Sequence, residues 1–491
     1  MVAAPPARPP RPAWLSPRVA RTEVLAGLVV ALALIPEAIS FSIIAGVDPR
    51  VGLFASFTMA VTIAVTGGRP AMISAATGAV ALVIAPLVRD HGLQYLIAAV
   101  LLGGVFQVAL GLLGVAKVMR FVPRSVMVGF VNALAILIFT AQLPQLIDVP
   151  WPVYPLAAVG LAIIFGLPRL TTAVPAPLVA IVVLTVFTVT VGVSVPTVGD
   201  EGRLPDSLPT LGLPDVPFSV ETLTIIAPYA LAIALVGLME SLMTAKLVDE
   251  ITDSPSSKTR ESVGQGIANL VTGAFGGMGG CAMIGQTMIN VRSGARTRLS
   301  TFLAGVFLLV LVLVLSPVVA VIPMAALVAV MVFVAIATFD WHSIRTLRRM
   351  PRSETAVMLV TVAVVLATSN LAVGVGVGVL VACVLFARRV AHLVTVTPTG
   401  APDGTRVYVV SGALFFASTN EMVGRFDYAG DPDRVVIDLS GAHVWDASSV
   451  AALDAIEHKY ATRGKSVQIV GLTDVSGHYH QRLAGRLGGG E

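Results

Sequence analysis

From about residue 23 to about residue 394, apolar runs follow one another with only short polar breaks. Such a stretch has no stable place in water. In a bilayer each run must satisfy its own backbone polar groups, which restricts it to helix. The run lengths allow about fourteen helical crossings if several are short or broken. Composition agrees, with 56% of the 491 residues hydrophobic, 12% charged and a mean hydropathy of +0.88. A soluble globular chain is thereby excluded. The expected fold class is an all-α polytopic membrane domain over residues 23–395, preceded by a tail (1–22) and followed by a small domain (396–491).

The proline- and arginine-rich start, "RPPRPAWLSPRVARTE", reads as a cytoplasmic tail lying against the bilayer surface. It is not a signal peptide, because the apolar stretch after it is too long and lacks a small-residue cleavage site. Both cysteines, Cys281 and Cys383, lie inside apolar runs, so neither a disulfide framework nor a thiolate metal site is suggested.

Basic residues set the orientation. Arg8, Arg11, Arg18 and Arg21 precede the first span, Lys117, Arg120 and Arg124 follow the fourth, and Arg292, Arg296 and Arg298 follow the tenth. Arg345, Arg348, Arg349 and Arg352 follow the twelfth, and Arg388 and Arg389 the last. All fall on one side if the number of spans is even, and that side is expected to be the cytoplasmic face of the cell (inner) membrane, with both termini there. The opposite side holds the acidic linker "TVGDEGRLPDSLPTLGLPDVPF" (197–218).

That linker divides the spans into about seven and seven. Seven is odd, so two similar halves would be inverted, a common transporter architecture with its binding site near the bilayer midplane. The halves share a pair of interrupted Gly/Ala-rich segments, "GGRPAMISAATGAVALV" (67–83) and "GGMGGCAMIGQTMINV" (276–291). Each reads as a short helix starting inside the membrane. Two such N-termini facing one cavity would offer N–H groups and positive dipole ends to an anion without a buried lysine or arginine. The alternative is that these glycines only allow close helix packing.

Two acids stand inside apolar runs: Glu37 in "ALALIPEAISFSII" (31–44) and Glu240 in "LAIALVGLMESLMTAKLVDE" (231–250). Intramembrane acids are costly enough that function is the default expectation. Phe41 shares a helix face with Glu37, and Thr244 shares one with Glu240. The pairing of Glu240 with Thr244 suits a cation or a transferable proton. The structural alternatives are a protonated Glu37 bonded to a carbonyl freed at Pro36, a Glu240 snorkelling to the cytoplasmic surface, and a Phe41 that only packs.

After about residue 396 the pattern changes. "GTRVYVVSGALFFAS", "RVVIDLSGAHVWDASSVAALDAIEHKYATRG" and "KSVQIVGLTD" read as strands alternating with amphipathic helices, a small α/β domain. Enzyme readings fare poorly. "ATRGKS" ends like a phosphate-binding loop, but Lys459 stands where its first glycine belongs, and "VGVGVGV" sits in a membrane span. "HYH" offers only the imidazoles of His478 and His480, too few for a metal site.

The chain resembles the SulP (sulfate permease) family over nearly its whole length. The resemblance is carried by "LIPEAISFSIIAGVDPRVGLFASF", "MESLMTAKLVDEITD" and "ESVGQGIANLVTGAFGGMGGCAMIGQTMINVRSGARTRLS". "DLSGAHVWDASSVAALDAI" resembles the STAS domain that ends these transporters. The resemblance implies seven plus seven inverted spans in a core and a gate domain, a homodimer, and elevator-like alternating access. It implies Glu37 and Phe41 as cavity positions, and Glu240 and Thr244 as a cation-site carboxylate and hydroxyl. It also implies Ser74, Ala75, Ala76 and Thr77, with Ala282, Met283, Ile284, Gly285 and Gln286, as the anion-facing half-helix ends.

Two departures bear on mechanism. Many relatives carry an arginine where Gln286 stands, and sodium-coupled bicarbonate transporters of the family carry a threonine where Ile284 stands. Here the anion lacks a cationic partner and sodium lacks a ligand. An anion would meet repulsion from Glu37 and Glu240 unless they carried protons. Proton-coupled symport of sulfate or a dicarboxylate such as fumarate is therefore expected. A sodium-coupled bicarbonate symporter, an uncoupled channel or exchanger, and a membrane-tethered signalling protein are the alternatives. No resident cofactor, metal or nucleic-acid partner is expected; the co-transported ion is H+, or else Na+. In signalling STAS proteins a phosphorylatable serine follows the aspartate, but Ala447 follows Asp446 here, so folding, dimer contact or docking of a cytoplasmic regulator is the expected STAS role.

Overall fold

The computed structural model describes residues 17–114, 122–171, 175–347, 349–391, 394–401, 404–472 and 482. Arg8, Arg11, Lys117, Arg120, Arg348, His478 and His480, named above, lie outside them. The chain divides into two compact units, Met1–Val379 and Leu380–Glu491.

The first unit opens with α1 (Pro17–Ala45), α2 (Pro49–Thr66), a two-residue β1 (Ser74–Ala75), α3 (Gly78–His91) and α4 (Leu93–Leu112). There follow α5 (Arg124–Thr140), α6 (Val153–Gly166) and α7 (Ala176–Val191). Beyond the linker lie α8 (Val220–Thr252), α9 (Lys258–Ala274), β2 (Cys281–Ala282), α10 (Ile284–Arg292) and α11 (Arg298–Ala320). The last are α12 (Met324–Thr338), the short α13 (Trp341–Thr346), α14 (Arg352–Thr368) and α15 (Leu371–Ala391), which runs into the second unit.

Helix α1 begins at Pro17, so Arg18 and Arg21 of the expected tail are helical. Eight described stretches are long and apolar enough, by length and composition, to cross a membrane. Helices α3, α6, α7, α9, α10 and α14 are shorter and fall outside that count, as the short or broken crossings of the sequence reading allow. Within this helical unit one two-residue pair of strands occurs among the described residues: β1 pairs antiparallel with β2, Ser74 opposite Ala282 and Ala75 opposite Cys281. Extended residues inside a membrane protein must find backbone partners, and each of these strands supplies them to the other.

Two sets of helices pack within this unit. In one, α4 lies along α8 and α9, and α1 and α2 along α11. In the other, α5 lies on α14 and α12, and α6 on α12 and α7. Small residues permit the tightest contact: a Cβ on Gly104 would stand 2.8 Å from the Gly266 carbonyl oxygen, and one on Gly266 2.7 Å from that of Gly104. The α4–α9 contact is thus backbone against backbone.

In the second unit, β3 (Thr395–Gly400) pairs antiparallel with β4 (Arg406–Leu414). Strand β4 runs parallel to β5 (Arg434–Val444), and β5 parallel to β6 (Ser466–Val470). Parallel neighbours need crossovers, which α16 (Thr419–Val423) and α17 (Ala447–Ala461) provide. Val410, Ile437, Leu439, Leu453 and Ile456 form the core of this unit. At its edge the buried Asp431 carboxylate accepts from Tyr408 Oη at 2.7 Å, Tyr460 Oη at 2.5 Å and Arg406 Nε at 3.2 Å. Asp446 caps α17 by accepting the Ser449 amide at 2.9 Å, and the buried Ser449 hydroxyl also donates to it.

Candidate anion site

A polar stripe on α9 holds the centre of the membrane unit in place. Glu261, Gln265, Asn269 and Thr272 recur at helical spacing on one face and are fully buried. Gln265 Nε2 donates to Ser74 Oγ at 2.6 Å. Asn269 grips Gly280 twice, donating to its carbonyl at 3.0 Å and accepting its amide at 2.9 Å. Thr272 and Thr58 share a hydroxyl contact of 2.8 Å. Gly280 must be glycine, because a Cβ there would lie 1.9 Å from the Ala75 carbonyl oxygen. The two strands are further tied by Met283 N to Ile73 O at 2.9 Å, Ile73 N to Thr287 Oγ1 at 3.0 Å and Ala282 N to Ser241 Oγ at 3.1 Å.

Helix α3 starts after Thr77, whose Oγ1 accepts the Val80 amide. Helix α10 starts after Met283, and its first intrahelical bond is Thr287 N to Met283 O at 3.0 Å. The Ile284, Gly285 and Gln286 amides come before that bond and have no acceptor within the helix. A Cβ on Gly285 would meet nothing within 4 Å, so the first turn of α10 presents bare backbone to open space. That space is a cavity of about 900 Å³ between the two sets of helices. It is walled by α1, α3, α8 and α10 on one side and α5, α7 and α12 on the other.

Glu37, Phe41, Thr77, Glu240, Met283, Ile284, Gly285 and Gln286 all line this cavity. The Phe41 ring lies against Gly78 at the start of α3. Ser74, Ala75, Ala76, Ala282 and Thr244 do not line it. The first four sit in or beside the strand pair, where their buried backbone is engaged, Ala76 N donating to Ser56 Oγ at 3.2 Å. Thr244 is fully buried and donates its hydroxyl to the Glu240 main-chain carbonyl at 2.8 Å rather than to its carboxylate. At Pro36, Ser40 Oγ donates to the Pro36 carbonyl at 2.8 Å, while the Glu37 carboxylate has the Gln286 side chain as its hydrogen-bonding partner.

Two further features of the site escaped the sequence reading. Cys281 Sγ donates to Glu240 Oε2 at 2.9 Å and lies 3.2 Å from Thr77 Oγ1, joining α8, β2 and the start of α3. No motif marks a cysteine for this; the strand that carries it packs on α8, where Ala282 N donates to Ser241 Oγ. Arg292, the only lysine or arginine lining the cavity among the described residues, stands at the end of α10. Its position in the sequence marked it only as a membrane-side charge.

Four buried or half-buried carboxylates of this unit fall into two kinds. Glu23 accepts three backbone amides, from Arg296 at 2.7 Å, Thr297 at 3.0 Å and Ser300 at 3.1 Å, and so caps α11. Glu261 accepts the amides of Gly68 at 2.7 Å and Arg69 at 3.0 Å and the Gln265 side chain at 2.9 Å. Both are locked into structure. Glu37 and Glu240 instead face the cavity with one side-chain partner each among the described residues.

The sulfate permease family model matches residues 21–159 and 146–361, and the STAS domain model matches 398–483. The chain belongs to the sulfate permease family. It is 55% identical to the candidate sulfate transporter YbaR of Bacillus subtilis (strain 168), over 94% of this chain and 97% of that one. The transmembrane domain of a cyanobacterium bicarbonate transporter, BicA, superposes with a TM-score of 0.64 at 26% identity, covering 74% of this chain and 97% of that one. The murine Solute Carrier 26 family member A9 anion transporter has the same fold, with a TM-score of 0.82 at 16% identity over 96% of this chain and 89% of that one. The sulfate permease family members named here are transporters and not enzymes, and this member is a multi-pass membrane protein with a C-terminal STAS domain.

Proposed function

We propose that the protein is a secondary active transporter that carries a small anion, sulfate or a dicarboxylate such as fumarate, together with protons. The anion sits where α3 and α10 begin, held by backbone amides and helix dipoles. An elevator-like movement of an inverted-repeat, dimeric molecule exposes it alternately to the two sides. The basic residues named above support cytoplasmic termini. The observation that carries the coupling is the isolation of Glu37 and Glu240. Acids anchored by three donors serve structure, whereas two sparsely bonded carboxylates on an anion cavity are groups able to take up and release protons. Gln286, uncharged, pairs with Glu37 in place of a fixed cation, so protonation of the carboxylates is what removes their repulsion of the anion.

Sulfate is favoured by the name of the 55% identical relative. The likeness to the BicA transmembrane domain supports a second reading, bicarbonate symport with sodium, in which Glu240 would face the cation. Uptake of labelled sulfate, bicarbonate and fumarate into proteoliposomes, under an inward proton gradient and separately an inward sodium gradient, decides between them. Proton-driven accumulation is expected, with Glu37→Gln folded but no longer accelerated by acidic external pH. Accumulation under sodium alone, or mere equilibration under both gradients, would overturn the coupling.

A further inference from the structure

We propose that the sheet end of the second unit carrying Phe416 and Trp445 is a membrane anchor that seats its aromatic rings in the headgroup layer of the bilayer spanned by the chain. This does not depend on what the first unit transports. Phe416 and Trp445 are each 65% exposed, although the core of this unit is filled by other residues. They are not loose. The Trp445 amide donates to the Leu414 carbonyl at 3.0 Å, and the Phe416 amide to Asp446 Oδ2 at 2.7 Å, fixing both backbones at the ends of neighbouring strands. Phe415 packs edge-on against Phe416 with centroids 5.3 Å apart.

The occupant follows from where the chain enters the sheet. Helix α15 is apolar enough to cross a membrane and ends with Arg388 and Arg389 in its last turn. Strand β3 begins at Thr395, and Thr395 pairs with Ser411 near the end of β4. Leu414 in turn pairs with Val444 at the end of β5. The edge of the sheet tethered to the membrane span is therefore the edge that bears the aromatic residues. Four residues from Ala391 to Thr395 reach at most about 14 Å. From Ser411 to Leu414 the strand adds about 10 Å, so this edge is within reach of the plane where the span ends.

Tryptophan favours that plane, with its ring in the apolar boundary and its N–H toward water. The nearby Asp446 carboxylate does not oppose seating there, since it is occupied by the Phe416 amide and by the Ser449 amide and hydroxyl.

The test is fluorescence of the full chain in vesicles. The sequence contains four tryptophans, so replacing Trp14, Trp151 and Trp341 by phenylalanine leaves Trp445 as the only indole. In phosphatidylcholine brominated near the top of the acyl chains, most of its emission should be lost, and aqueous iodide should quench it weakly. Strong iodide quenching without bromolipid quenching would mean that the ring stays in water. Shielding from both would mean that protein covers it, a second copy included. Either result overturns the anchor. Should the triple replacement not fold, subtracting the bromolipid quenching of Trp445→Phe from that of the unmodified chain gives the same reading.

Discussion

Cys281 links Glu240 to Thr77 through contacts of 2.9 Å and 3.2 Å, so it is a positioning residue for the carboxylate and for the start of α3. Cys281→Ser keeps a donor at that place and should transport nearly as the unmodified protein does. Cys281→Ala leaves the carboxylate without it. A hydrogen bond to a charged group is worth about 1.5–3 kcal/mol, so the uptake kcat/KM should fall roughly tenfold or more, with a flattened dependence on external pH. Equal losses for serine and alanine would assign Cys281 to packing alone. Arg292 acts at longer range. It stands six residues beyond Gln286, about 9 Å along the helix, and is the only cation on the cavity wall among the described residues. Arg292→Gln should raise the KM for the anion several-fold with little change in kcat, and added salt should narrow the difference, because screening weakens a charge at an open mouth. An unchanged KM at low ionic strength would remove Arg292 from anion capture.

Helix α9 and the strand pair show how far elements can be read from residues. The apolar runs marked α1 and α8, and the paired glycine-rich segments marked where α3 and α10 begin, because both signals are local. The antiparallel pairing of Ser74–Ala75 with Cys281–Ala282 joins residues about two hundred positions apart, and nothing in either segment names its partner. Hence Ser74, Ala75, Ala76 and Ala282 were expected on the cavity and are instead the backbone that supports it. The polar stripe Glu261, Gln265, Asn269 and Thr272 was legible in principle, since helical spacing of polar residues within a membrane segment implies a buried polar face. Its weight is testable. Asn269→Ala leaves the Gly280 amide and carbonyl without partners, at about 1–3 kcal/mol for each buried group. Purified Asn269→Ala should melt earlier and take up anion with a raised KM, because the loop that sets α10 has lost its grip. Unaltered melting would show that Gly280 finds other partners.

The whole molecule consists of two units with separate hydrophobic clusters, and their stabilities should be separable. Asp431 is the lever in the second unit. It is buried and accepts from Tyr408, Tyr460 and Arg406. Removing one member of such a buried charged network costs about 3–5 kcal/mol, and for a domain of 60–100 residues each kcal/mol moves Tm by about 4–8 °C. Calorimetry of the full chain in detergent should then show two transitions. Asp431→Ala should lower one of them by more than about 10 °C, and Asn269→Ala should lower the other. Raising the pH gives a further handle. Burial first, and the hydrogen bond to Asp431 next, hold the Tyr460 phenol above its usual range. The stability this group lends is complete below the ordinary tyrosine pKa of about 10 and is lost as pH rises beyond it. The Asp431-sensitive transition should thus fall further above that pH than the Asn269-sensitive one. A single transition lowered by both substitutions would instead mean that the units unfold as one, and that the STAS domain contributes to the stability of the transport cavity.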